Sequence, residues 1–71
     1  MSNQSKTFSW TAPEALRQVA SDPAEARQHP AVLRALRAEA IRRGLDPETV
    51  QVLSTAVTPE GIEVRAEARA V

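Results

Sequence analysis

The chain has 71 residues and a formal net charge of zero, nine basic against nine acidic, with no cysteine and no tyrosine. That length holds one small domain, disulfides cannot staple it, and interleaved opposite charges remove any general attraction to nucleic acid or a membrane surface. No apolar run approaches the roughly 20 residues of a membrane-spanning helix, so a cytoplasmic protein is expected. Arg- and Ala-rich composition with a single lysine fits a bacterial or phage coding sequence.

Met1–Ser5 is polar and reads as a disordered tail, leaving residues 6–71 as the folded unit. Lys6–Trp10 alternates, with Phe8 and Trp10 on one face and Thr7 and Ser9 on the other, so it is available as a short strand. Thr11-Ala12-Pro13-Glu14 has the spacing of a capping box with proline in the first turn, which predicts a helix over Ala12–Ala20 carrying Leu16 and Val19. Asp22-Pro23-Ala24-Glu25 repeats the start signal and predicts a helical turn over Pro23–Gln28. His29-Pro30 interrupts it, because the residue before proline is driven out of the helical region.

The main helix is predicted over Ala31–Arg43. At about 100° per residue, Val32, Leu33, Leu36 and Ala40 cluster on one side, with Arg34, Arg37, Ala38 and Arg42 opposite. Gly44 suits the left-handed position after the helix, Leu45 supplies the hydrophobic contact that follows it, and Pro47 blocks continuation.

Thr58-Pro59-Glu60-Gly61 is a hairpin turn signal. With a three-residue loop pairing Thr58 with Ile62, Ala56 faces Val64, Ser54 faces Ala66, Val52 faces Ala68 and Val50 faces Ala70, so one face is almost wholly apolar. The opposite face then carries Gln51, Leu53, Thr55 and Val57 against Arg69, Glu67, Arg65 and Glu63. A two-layer α+β fold follows, with two helices packed on a C-terminal antiparallel β-hairpin of Thr49–Thr58 and Ile62–Ala70, and Lys6–Trp10 as a third strand.

A competing reading makes residues 47–57 a helix, because Asp46-Pro47-Glu48-Thr49 is also a helix start. Ala40, Gly44, Leu45, Asp46, Pro47, Thr49 and Val50 resemble the small-residue, Gly-hydrophobic turn and Thr-Val pattern of helix-turn-helix proteins, over about a fifth of the chain. The resemblance implies DNA binding through a helix at 31–43, a turn at 44–46 and a recognition helix at 47–57. Arg34, Arg37 and Arg42 would then meet phosphates, and Gln51, Ser54 and Thr55 the base edges. Residues 47–57 contain no lysine or arginine, and phosphate contacts dominate affinity for DNA, so nucleic acid is the less favoured partner.

No pattern points to catalysis, a cofactor or a metal. There is no cysteine nucleophile, no glycine-rich phosphate loop and no serine elbow, so a non-enzymatic protein is expected. Asp22, Glu25 and His29 are the nearest approach to a metal set, and capping explains the two acids. A thin core, two open sheet edges, and Leu53 and Val57 beside the Glu63-Arg65-Glu67-Arg69 ladder point to a protein-interaction or self-association module. The expected partner is another protein or a second copy in a homodimer.

Overall fold

The computed structural model describes residues 4–71. Strand β1 (Ser5–Thr11) opens the fold, followed by a 3-10 turn at Glu14–Leu16 and the short helices α1 (Arg17–Ala20) and α2 (Pro23–Ala26). The long helix α3 (Pro30–Arg42), a 3-10 turn at Pro47–Thr49, and strands β2 (Gln51–Thr58) and β3 (Gly61–Arg69) complete it. The strands form one antiparallel sheet in the order β1-β3-β2. This is the expected α+β architecture, with the N-terminal segment present as a full third strand.

β3 sits in the centre because both of its faces are consistently patterned. Val64, Ala66 and Ala68 are buried, with half-buried Ile62 packed against the same core, while Glu63, Arg65, Glu67 and Arg69 alternate with them. The core adds Phe8 from β1, Val52 from β2, Val32, Leu36 and Ala40 from α3, and Leu45 beyond it. Half of the buried residues are alanine, distributed over helices and sheet. Alanine buries little area but lets the layers approach closely, so Leu36, Val32 and Val64 carry the largest shares, each worth about 1.5–3 kcal/mol.

The helix ends follow local chemistry. His29 caps α3, its Nδ1 accepting from the Ala31 N–H at 3.2 Å. At the other end the Leu45 N–H reaches the Ala40 carbonyl at 2.8 Å and the Gly44 N–H reaches that of Ile41 at 3.1 Å. Gly44 has φ +74°, and Leu45 behind it is buried, the Schellman arrangement predicted for these residues.

Four expectations are corrected. The first helix does not span Ala12–Ala20: the Ala12 N–H is bonded to the Ile62 carbonyl at 2.8 Å, extending the sheet past Thr11. Thr11 is therefore a strand residue rather than a cap, and the helical segment starts after Pro13, broken at Leu16 into a 3-10 turn and one α turn. Ser5, expected as the end of a disordered tail, belongs to the sheet: it pairs with Arg69, and the Gln4 carbonyl accepts from the Ala70 N–H at 2.8 Å. Residues 1–3 of that expected tail lie outside the described residues.

The third correction concerns residues 47–57. Asp46 does cap a helical turn, accepting from the Glu48 N–H at 3.0 Å, but the turn ends at Thr49 and Val50 is already extended. Gln51–Thr58 is strand, so the recognition helix of the helix-turn-helix resemblance is not formed. β-Branched Val52, Thr55, Val57 and Thr58 suit a strand, and β3 supplies the partner that decides it.

The fourth is the hairpin register. The loop has two residues, with Thr58 opposite Gly61 and Val57 opposite Ile62, and the register shifts between Val52 and Ser54. Leu53 is the extra residue of a β-bulge. The shorter loop reverses the face of every β2 residue near the turn, and the bulge reverses it back, so Val52 returns to the core opposite Ala66.

Candidate interaction surface

Among the described residues the helices cover one face of the sheet only. On the other, cross-strand pairing sets out three parallel rows. β1 contributes Ser5, Thr7, Ser9 and Thr11, β3 contributes Arg69, Glu67, Arg65 and Glu63, and β2 contributes Gln51, Ser54 and Ala56. Glu63, Arg65, Glu67 and Arg69 thus do share one face, as expected. Among the described residues the salt bridges are those of Glu39, to Arg42 at 3.3 Å and Arg43 at 3.0 Å, so the ladder consists of charges that interact only through each other's screened field.

Leu53 and Val57 do not join that ladder in the expected way. Val57 lies opposite Ile62, on the helix side of the sheet but beyond the helical cover, and is 83% exposed. Leu53 is the bulge residue and is 40% exposed. The two-residue loop thus turns Val57 away from the charged ladder, and the expected apolar patch with a charged rim is not assembled on that face.

Of the residues assigned to the DNA-binding alternative, Gln51, Ser54 and Thr55 lie along β2, and the Thr55 hydroxyl bonds the Ser21 carbonyl at 3.3 Å. Arg34, Arg37 and Arg42 are exposed on α3, with Arg42 drawn to Glu39. Arg34 and Arg37 border a shallow groove with Leu33, Ala38 and Ile41. Asp22 and His29 are both used as helix caps, and among the described residues no group of three or more His, Asp or Glu side chains gathers as a metal site.

The two sheet edges differ most. β2 is guarded: it carries the bulge, its Val52 carbonyl lies 3.5 Å from Arg27 Nε, and the end of α1 reaches Thr55. β1 has none of these. The bonds Ala70 N–H to Gln4 and Ala12 N–H to Ile62 bracket the strand, so Lys6, Phe8 and Trp10 turn their backbone groups toward β3. In an antiparallel ladder the alternate residues point away, and these are Ser5, Thr7, Ser9 and Thr11. Among the described residues no side chain bonds to them. The alternation around Phe8 and Trp10 marks the strand in the sequence, but which strand is an edge depends on the order of all three.

Trp10 is half-buried and packs on the core, and Phe8 is buried with the Arg43 guanidinium 5.6 Å from its ring centre. The open edge is thus anchored on the core through Phe8 and Trp10. No family model, no curated protein and no solved structure matches this chain.

Proposed function

We propose that this protein is a non-enzymatic interaction module that engages another protein, or a second copy of itself, by strand addition at β1. The observation that carries the reading is the unguarded edge: seven residues without proline or bulge and, among the described residues, without a covering side chain, beside a second edge that is protected. Sheet proteins commonly blunt or cover exposed edges, and an open edge offers a template whose backbone hydrogen bonds supply affinity. A core half made of alanine adds to this, since association would supplement the stability of so small a domain. A chain free of cysteine suits a reducing cytoplasm, and a bacterial or phage accessory role is consistent with the composition.

The test compares the wild type with Thr7→Pro. The N–H that proline removes points outward, so the isolated fold should survive. Partners or self-association present in the wild type and absent in the folded variant are expected. If both proteins retain the same complexes, or if neither forms any, the edge does not act as a docking strand.

A further inference from the structure

β1 is complementary to itself. We propose that two copies of this chain pair β1 with β1 antiparallel about a two-fold axis through Phe8, giving a continuous six-stranded sheet. The inference rests on the edge-docking reading and names its partner.

In this register Ser5 faces Thr11 of the second copy and Thr7 faces Ser9. These are the residues whose N–H and C=O groups point outward, so all of them are satisfied, with roughly eight new backbone hydrogen bonds across the axis. Lys6 falls opposite Trp10, which sets an ammonium against the exposed part of an indole ring, and the two Phe8 backbones face each other at the axis while each ring stays buried in its own core. An isologous contact of this kind closes, so it ends at a dimer.

The charges on β3 favour the same register. β1 and β3 pair as Ser5 with Arg69, Thr7 with Glu67, Ser9 with Arg65 and Thr11 with Glu63. With Phe8 on the axis, every row across the assembled sheet joins a glutamate of one copy to an arginine of the other: Arg69 with Glu63, and Glu67 with Arg65. Sliding the axis to Thr7 or to Ser9 makes every fully paired row like-charged, Glu67 with Glu67 or Arg65 with Arg65 for example, and shortens the overlap. The charges are three strand spacings apart, about 14 Å, so each pair is weak at physiological salt, yet all four rows and the length of overlap agree. Zero net charge leaves no general repulsion between copies.

The absence of cysteine gives a direct register test. Thr7→Cys and Ser9→Cys chains are prepared separately, then oxidised mildly alone and mixed. Facing residues in a hydrogen-bonded pair lie about 5.5 Å apart, within disulfide reach. The mixture is expected to form a mixed disulfide between the Thr7→Cys and Ser9→Cys chains, and each protein alone to remain reduced. Cross-linking of either alone as readily as the mixture, or no cross-linking in any of the three, overturns the proposal. Sedimentation of the wild type should show a monomer–dimer equilibrium, weakened about thirtyfold or more in Thr7→Pro and unchanged in Val57→Glu. A dimer that Val57→Glu dissolves and Thr7→Pro leaves intact overturns both this pairing and the edge reading. A wild type that stays monomeric while binding a different protein that Thr7→Pro loses overturns only the self-pairing.

Discussion

Deleting Leu53 should be nearly silent, although it removes a residue from the middle of a strand. Val52 pairs with Ala66 and Ser54 with Arg65, so closing the gap at Leu53 leaves every other pair of the hairpin in place and every side chain on its present face. The loss is the packing of a side chain that is 40% exposed. About three-fifths of a leucine's burial, at about 1.5–3 kcal/mol for the whole side chain, is roughly 1–2 kcal/mol. A regular ladder in place of the bulge returns about 1 kcal/mol. The expected net cost is about 1 kcal/mol or less. Deletion of Arg65 in the central strand has no such escape, because β1 and β2 both read the parity of β3, and one half of the strand would turn its core residues outward. Urea unfolding followed by circular dichroism measures both. A Leu53 deletion that fails to fold, or loses more than about 3 kcal/mol, would refute the bulge assignment. Because the bulge also guards the β2 edge, the Leu53 deletion should raise light scattering at high concentration through edge-to-edge pairing.

Three further outcomes are expected. Leu36→Ala, at the fully buried centre of α3, should cost about 3 kcal/mol and lower the thermal midpoint by roughly 12–20 °C in calorimetry; a loss under about 1 kcal/mol would show that the core lies elsewhere. Gly44→Ala should cost about 1 kcal/mol and Gly44→Asn less, since nothing lies within 4 Å of an added Cβ and the whole penalty is the positive φ; equal costs in chemical denaturation would remove that explanation. His29→Ala should lose about 0.5–1 kcal/mol by removing the cap of α3, and His29→Asp should recover it, so an Asp variant no more stable than the Ala variant in the same assay would contradict the cap.

If the β1 pairing holds, the hydrophilic outer face and the aromatic inner face serve different ends. On the inner face the half-buried Trp10 would be covered further by Lys6 of the second copy, while the Ser/Thr row keeps the assembled sheet wetted on its other side. The guarded β2 edge would then stop growth at two copies.

Elements with local causes were legible in the chain alone. His29-Pro30 starts α3, and Gly44 and Leu45 end it through two short-range hydrogen bonds. The Thr58–Gly61 turn makes the hairpin, and the Ile62–Ala68 alternation gives β3 its two faces. Each of these depends on residues within about one turn of one another, so neighbours along the chain suffice. Parity and strand order were settled by packing instead. The Ala12 N–H could not be assigned to sheet or helix until Ile62 was placed opposite it. The face of Val57 hung on a loop of two residues rather than three, and that of Val52 on the compensating bulge at Leu53. Side chains in a strand alternate with a period of two, so a single residue of slip exchanges core for solvent, and only the packed sheet selects between registers that look equally good along the chain.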